Sequence, residues 1–109
     1  MGVAQQGLIE LEPADVDALL RAGEAVLVDV REEEEHAAER IPGTVLIPMS
    51  DFDAHAWPSY PGKKTVIMCL GGVRSAAIGR KLLQIGHPVA IHLKGGLNAW
   101  KDAGLDVVS

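Results

Sequence analysis

The stretch of sequence that decides the fold is TVIMCLGGVRSAAIGRKLL, residues 65–83. Its first four residues form an apolar run that leads to Cys69, the only cysteine of the chain. Two glycines and Arg74 follow, and apolar side chains then recur at helical spacing. The order of strand, glycine loop and helix predicts that the thiol lies at the carboxyl end of a buried strand.

The rest of the chain alternates in the same way between apolar runs and helical patterns. Strands are predicted at 8–11, 25–30, 44–48, 65–70 and 89–93, helices at 12–23, 32–40, 74–86 and 96–104, and an irregular segment at 49–64. Strands that are apolar on both faces and alternate with helices predict an α/β fold, a mainly parallel five-stranded sheet with helices on both faces. In such sheets ligands bind at the carboxyl ends of the strands, where Asp29 and Cys69 fall.

Length and composition limit the classes of protein to consider. A chain of 109 residues with 48% hydrophobic residues suits one domain over 1–109, with the first few residues expected to form a flexible tail. One cysteine excludes an intramolecular disulfide, and no signal peptide or membrane-spanning run is present, so we expect a cytoplasmic protein. The net charge of −5 argues against nucleic acid as a partner, and we expect a monomer that binds no membrane.

The charge is divided unevenly along the chain. Residues 1–60 carry 13 acidic and 3 Lys/Arg side chains, whereas residues 61–109 carry 2 acidic and 7 Lys/Arg side chains. Either the half that contains the thiol forms a cationic surface, or the two halves interleave in the fold and the asymmetry averages out.

The segment CLGGVRS, residues 69–75, combines three features that favour a reactive thiolate at Cys69. Gly71 and Gly72 allow backbone conformations that point N–H groups inward, the helix start adds partial positive charge, and Arg74 adds a permanent cation with a planar fork of donors. A thiolate among such donors is a nucleophile that can also hold a second anionic group. The alternative is a buried, inert cysteine beside an ordinary glycine turn.

Three segments resemble the rhodanese-like family. Residues 28–48, VDVREEEEHAAERIPGTVLIP, are similar to its first signature, Asp-x-Arg followed by Ile-Pro-Gly. CLGGVRS is similar to its active-site loop, Cys-x-x-Gly-x-Arg-Ser, and residues 93–104, LKGGLNAWKDAG, to its closing motif. The chain departs from the family at Glu39-Arg40, where the family often has Gly-His, and its loop has no cation besides Arg74. The resemblance implies a three-layer domain that carries sulfane sulfur as a cysteine persulfide.

The implied activity is a sulfurtransferase that needs no cofactor. It would move sulfur from a donor such as thiosulfate, through a Cys69 persulfide, to a thiophilic acceptor such as cyanide or a thiol. The implied partners are a small sulfur-containing anion and a sulfur donor or acceptor protein. The residues expected to bind the substrate are those of the loop after the nucleophile: Leu70, Gly71, Gly72, Val73, Arg74 and Ser75.

Two other functions stay open. A persulfide carrier with little thiosulfate turnover would use the same loop, and Leu70 and Val73 suit an apolar or protein-borne acceptor. A phosphatase or arsenate reductase is the second alternative, but those relatives have one residue more between the cysteine and the arginine. The six residues from Cys69 to Arg74 fit sulfur better than phosphate.

Several other residues attract attention but receive lesser roles. Asp29 and Arg31 are candidates for support around the site, Asp29 by binding loop N–H groups. The four histidines show no metal-ligand spacing, and none is placed in the sequence as a base for Cys69. Trp100 is expected in the core, and Gly95-Gly96 in a turn before the last helix. The sequence leaves open whether Arg40 and Trp57 reach the site.

Overall fold

The computed structural model describes residues 7–109 in full and the backbone of residues 2–5. Six strands alternate with four helices: β1 (Gly2–Gln5), β2 (Leu8–Leu11), α1 (Pro13–Arg21), β3 (Ala25–Asp29), α2 (Glu33–Ala38), β4 (Val45–Leu46), β5 (Lys64–Met68), α3 (Val73–Gln84), β6 (Ala90–Leu93) and α4 (Gly96–Asp102). Short 3-10 turns at Met49–Asp51 and Ala54–Ala56 lie in the segment predicted to be irregular.

All strands belong to one sheet, in the order β1-β2-β6-β5-β3-β4. The five strands predicted from the sequence are present and run parallel to one another, as expected. Parallel strands end at the same edge of the sheet, so the carboxyl ends of β3, β5 and β6 meet there. This edge receives Asp29, Cys69 and Lys94.

Strand β1 adds an antiparallel strand beside β2 that the sequence did not predict. It occupies residues 2–5, part of the segment that we expected to be a flexible tail. Residues 1 and 6 lie outside the described residues. At the other side of the sheet, the predicted strand 44–48 shrinks to Val45–Leu46, although the N–H groups of Ile47 and Met49 still donate to Asp29 O and Val30 O.

The two faces of the sheet carry separate cores because side chains alternate along each strand. Val66 and Met68 of β5 pack on one face with residues of α1 and α4, including Val16, Leu97 and Trp100. Ile67 and Cys69 point to the other face, where Ile78 and Leu82 of α3 cover them. The confirmed core position of Trp100 therefore lies across the sheet from the thiol.

Ion pairs join the acidic and basic halves of the chain. Arg74 pairs with Glu35, and Lys101 with Glu39. Lys94 also lies 3.5 Å from Glu12. The halves therefore interleave in space, which confirms the second interpretation of the uneven charge. In the part of the chain that is described, no helix is long and apolar enough to cross a membrane.

Candidate active site

Cys69 lies directly after β5 and is 1% exposed. Its Sγ accepts hydrogen bonds from the backbone N–H groups of Gly72, at 3.1 Å, and Ser75, at 3.4 Å. Both donors belong to the start of α3, which begins at Val73 with Gly72 as its N-cap. The helix start therefore directs its unpaired N–H groups at the sulfur, where they stabilise negative charge.

Only one of the two loop glycines has a backbone that requires glycine. Gly72 has φ of +101°, and a Cβ there would lie 3.3 Å from the backbone nitrogen of Gly95. Gly71 has no such φ, and a Cβ there would meet open space. The expectation that both glycines shape the loop holds for Gly72 and is wrong for Gly71.

The turn at Gly95 and Gly96 supports the loop from the other side. A Cβ on Gly96 would overlap the carbonyl oxygen of Cys69 and the backbone of Leu70. This close approach lets the first turn of α4 bind the loop, since Leu97 N–H donates to Cys69 O at 2.8 Å and Asn98 N–H to Leu70 O at 3.0 Å. The turn predicted before the last helix thus also supports the backbone of Cys69 and Leu70.

Arg74 forms a bidentate ion pair with Glu35 of α2. Its two terminal nitrogens lie 2.7 and 3.0 Å from the two carboxylate oxygens. The hydrogen bonds from the guanidinium hold the pKa of Glu35 at about 2, below its ordinary 4.5. The same pair raises the pKa of Arg74, and the charge of Cys69 adds to that effect. Sequence reasoning missed Glu35, because one acidic residue of the predicted helix 32–40 gave no sign of a partner 39 positions away.

Asp29 and Arg31 form a buried cluster beside the site. The carboxylate of Asp29 accepts the backbone N–H and the guanidinium of Arg31, with the shortest contact at 2.8 Å. His36 Nδ1 lies 2.9 Å from the same carboxylate, and Arg31 also donates to Glu39 O at 2.7 Å. Asp29 therefore binds a loop N–H group of its own segment, and the cluster fixes the chain that leads into α2 and Glu35.

His92 is the residue near the thiol that sequence reasoning missed. It lies on β6, is 2% exposed, and its Nδ1 is 2.9 Å from Ser75 Oγ. Ser75 Oγ in turn lies 3.5 Å from Cys69 Sγ. The signal was present in the sequence as a polar residue within the apolar run VAIHL, residues 89–93, since such a residue has to find a buried partner.

The rim of the site is apolar on one side. Val73 is 80% and Leu70 40% exposed. Trp57 contributes nothing here: it packs edge-on against Phe52 and lines a hollow with Lys64 and Val89, at the amino ends of β5 and β6. Arg40 donates weakly to His36 O at 3.4 Å. Within residues 2–5 and 7–109, no group of three or more His, Cys, Asp or Glu side chains is placed to hold a metal ion.

A buried thiol under a helix start, followed by an arginine, was the pattern that resembled a known family. The family model for the rhodanese-like domain matches residues 12–103. The chain belongs to the rhodanese-like domain family.

Individual rhodanese-like proteins agree with this assignment. The chain is 31% identical over 86 residues to a sulfurtransferase of Allochromatium vinosum, covering 79% of this chain and 80% of that protein. It is 35% identical over 108 residues to an uncharacterized protein of Synechocystis sp., covering 99% of this chain but only 60% of that longer protein. The crystal structure of a rhodanese-like domain protein from Staphylococcus aureus superposes with a TM-score of 0.75 at 32% identity, covering 93% of this chain and 99% of that one. The predicted fold and family are therefore confirmed.

Proposed function

We propose that this rhodanese-like domain is a sulfurtransferase that carries sulfane sulfur as a persulfide on Cys69. The observation that carries the proposal is the pair of N–H groups, from Gly72 and Ser75, that bind Sγ at the start of α3. Such donors stabilise a thiolate, and they equally suit the anionic sulfur of a persulfide. The family relationship to sulfurtransferases supports the same chemistry.

In the first half-reaction the Cys69 thiolate attacks the outer sulfur of a donor such as thiosulfate. A bond forms between Sγ and that sulfur, the sulfur–sulfur bond of thiosulfate breaks, and sulfite leaves with the electron pair. The donor is a dianion approaching a thiolate, so the approach needs a cation nearby. Arg74 supplies it, because two of its five N–H donors bind Glu35 and the rest remain available for sulfite oxygens.

In the second half-reaction a nucleophilic acceptor, cyanide or a thiol, attacks the outer sulfur of the persulfide. The bond between the two sulfur atoms breaks, and Cys69 recovers the electron pair as a thiolate. The N–H groups of Gly72 and Ser75 stabilise that thiolate again, which makes it a good leaving group. No cofactor is required for either half.

Substitution of Cys69 by Ala or Ser tests the proposal. We expect the wild-type protein to gain the mass of one sulfur atom on incubation with thiosulfate and to lose it on addition of cyanide, as measured by mass spectrometry of the intact protein. Both variants should gain nothing, since a hydroxyl is far too weak an acid to replace the thiolate. Because the chain has no other thiol, sulfur uptake by Cys69→Ala would rule the mechanism out.

A persulfide carrier is the second candidate, and the exposed apolar side chains of Leu70 and Val73 favour it. A protein-borne acceptor would cover them, whereas thiosulfate and cyanide would not. A carrier should accept sulfur quickly from a persulfide donor and turn over thiosulfate slowly, so comparing the two loading rates separates the candidates. Hydrolysis of an aryl phosphate without sulfur uptake would instead indicate the phosphatase relatives.

We further propose that the protein acts as a cytoplasmic monomer on a small sulfur-containing anion. The single thiol is free and buried, a state that a reducing compartment preserves. Light scattering of the purified protein should give the mass of one chain, and cell fractionation should place it with cytoplasmic markers. A stable dimer would contradict the first part, and a membrane-bound fraction the second.

A further inference from the structure

A continuous chain of polar groups runs from the thiol to the edge of the site. Cys69 Sγ lies 3.5 Å from Ser75 Oγ, in the orientation of a thiol that donates to the hydroxyl. Ser75 Oγ lies 2.9 Å from His92 Nδ1, and His92 Nε2 lies 3.3 Å from a carboxylate oxygen of Glu10. Cys69, Ser75 and His92 are buried, and only Glu10 reaches solvent.

Strand register brings these groups together. Glu10 of β2 lies directly opposite His92 of β6 in the parallel pairing of the two strands. On the other side, His92 pairs with Ile67 of β5, two residues before the nucleophile. The imidazole is therefore held between a carboxylate and the helix start that binds Cys69.

The arrangement selects one tautomer of His92. If Nδ1 carried the proton, the lone pair of Nε2 would face the Glu10 carboxylate, a repulsive contact. With the proton on Nε2 the ring points an N–H toward the carboxylate. The Ser75 hydroxyl then has two acceptors, Gly72 O at 3.2 Å and His92 Nδ1 at 2.9 Å, and the nearer one, Nδ1, accepts its hydrogen. Nε2 has no well-aligned hydrogen-bond partner among the described residues. The Glu10 carboxylate is therefore the group that would balance a positive charge on the ring.

We propose that His92, acting through the Ser75 hydroxyl, takes the proton of the Cys69 thiol. The thiol S–H bond breaks and its proton passes to Ser75 Oγ, while the hydroxyl proton of Ser75 passes to His92 Nδ1. The products are a thiolate, an unchanged serine and an imidazolium whose Nε2–H faces the Glu10 carboxylate. His92 is a positioning residue for the proposed sulfur transfer, on which this inference rests, because it acts on Cys69 only through Ser75.

Groups around the chain act on the proton transfer in both directions. Burial lowers the pKa of His92, and Arg80 of α3 adds to the effect, whereas the Glu10 carboxylate of β2 opposes it. The ring is therefore neutral at neutral pH, with Nδ1 free of a proton, and the Glu10 carboxylate is the group that stabilises the imidazolium once the proton arrives. Arg74 faces the sulfur from α3, and its charge favours the thiolate that the transfer leaves behind.

The rate of alkylation by iodoacetamide as a function of pH tests the proposal, because the chain has a single thiol. His92→Asn keeps an oxygen to accept the Ser75 hydroxyl but cannot take a proton. We expect its profile to shift upward by about one pH unit, which gives a roughly tenfold lower rate at pH 7 and rates that converge at high pH. Ser75→Ala should shift the profile in the same direction. The double variant of Ser75 and His92 should shift it no further than either single variant, since both substitutions interrupt the same proton path.

His55→Asn is the matched control, because His55 is exposed on a 3-10 turn. It should leave the profile unchanged. A purely structural role of His92 would lower the rate equally at every pH and reduce the unfolding midpoint. A profile of His92→Asn that coincides with the wild type would overturn the proposal. Loss of sulfur uptake by the wild-type protein, with the shifted profile still present, would overturn the proposed function alone.

A measurement on the unmodified protein covers the case in which the variants fail to fold. Nitrogen-15 spectra of the four histidine rings report the tautomer of each. We expect His92 to carry its proton on Nε2 and to present an unprotonated Nδ1 to Ser75. If the spectra show a neutral ring with its proton on Nδ1, the nitrogen that faces Ser75 cannot accept a proton. That result would exclude proton transfer from Cys69 through Ser75 to His92.

Discussion

At Cys69 the groups that hold the sulfur are backbone N–H groups, so the site depends more on the path of the main chain than on neighbouring side chains. The donors of Gly72 and Ser75 survive most side-chain substitutions. They do not survive a change in the backbone angles of Gly72, the one loop residue in the left-handed region.

The matched variants Gly72→Ala and Gly71→Ala test whether the site depends on the backbone angles of Gly72. Alanine at position 72 has to adopt φ near +101° and presses its Cβ toward Gly95. We expect a loss of about 1–3 kcal/mol in the free energy of unfolding and a slower sulfur uptake. Gly71→Ala should change neither quantity appreciably. Urea denaturation and loading by thiosulfate measure both, and equal losses in the two variants would contradict the assignment.

Arg74→Ala tests the role of the cation in the donor half-reaction. Its loss should lower the second-order rate with thiosulfate by about 1.5–3 kcal/mol, or roughly 10- to 150-fold. Arg74→Lys should recover part of this, because a point charge cannot bind two oxygens side by side. Transfer from the preformed persulfide to cyanide should change much less.

Glu35→Gln is the control for Arg74, because it removes the partner and keeps the cation. If Arg74 binds the sulfur donor directly, the Glu35→Gln variant should react with thiosulfate at least as fast as the wild type. If Arg74 only holds the helix start in place, Glu35→Gln and Arg74→Ala should slow both half-reactions alike.

At the scale of elements, the ion pair between Glu35 and Arg74 joins α2 to α3 across the mouth of the site. Besides pairing with Arg74 of α3, Glu35 caps its own helix: its Oε1 accepts the backbone N–H of Glu32 at 3.0 Å in the capping box of α2. The polar helix α2 buries none of its residues. Its position therefore depends on this pair and on the Asp29–Arg31 cluster rather than on packing.

The pH dependence of stability follows from the lowered pKa of Glu35. A carboxyl with a pKa of about 2 in the folded protein and 4.5 when unperturbed stabilises the fold above pH 4.5. That contribution is lost as the pH falls from 4.5 toward 2. Other carboxylates titrate in the same range, so the quantity to measure is the difference between wild type and Glu35→Gln in urea midpoints. We expect it to shrink from pH 6 to pH 3; a constant difference would contradict the assignment.

At the scale of the whole molecule, the sheet separates the Cys69 side chain from the core around Trp100. Cys69 and α3 lie on one face, and Trp100 with α1 and α4 fills the other. Trp100 Nε1 donates to Asp106 O at 2.9 Å, which ties the segment after α4 to the core. The core around Trp100 therefore lies on the opposite face of the sheet from the Cys69 side chain.

Trp100→Phe should lower stability and leave sulfur transfer unchanged. The smaller ring loses the hydrogen bond and leaves a void, so we expect a loss of about 1–3 kcal/mol in the free energy of unfolding. The rate of sulfur loading should stay within about twofold of the wild type, because the substitution lies across the sheet from the thiol. Denaturation followed by circular dichroism and the loading assay measure the two; a large loss of rate would indicate that Trp100 contacts the substrate.

The sequence by itself determined the features that depend on neighbouring residues. Apolar runs that alternate with helical patterns predicted the parallel sheet, and the order of thiol, glycines and arginine predicted a helix start under Cys69. These features form over a few consecutive residues, where backbone geometry and periodicity leave few alternatives. The edge strands β1 and β4 were predicted least well. The presence and length of an edge strand depend on its pairing with one neighbouring strand, which its own sequence does not show.

Only the tertiary structure decided which distant residues complete the site. Glu35 and Arg74 are 39 positions apart, and Ser75 and His92 are 17 positions apart. Gly96 reaches Cys69 only because α4 starts beside the end of β5. A strand pattern carries no information about which strands become neighbours. The order β2-β6-β5 placed His92 between Glu10 and the segment that ends at Cys69, and no spacing along the chain could have shown it.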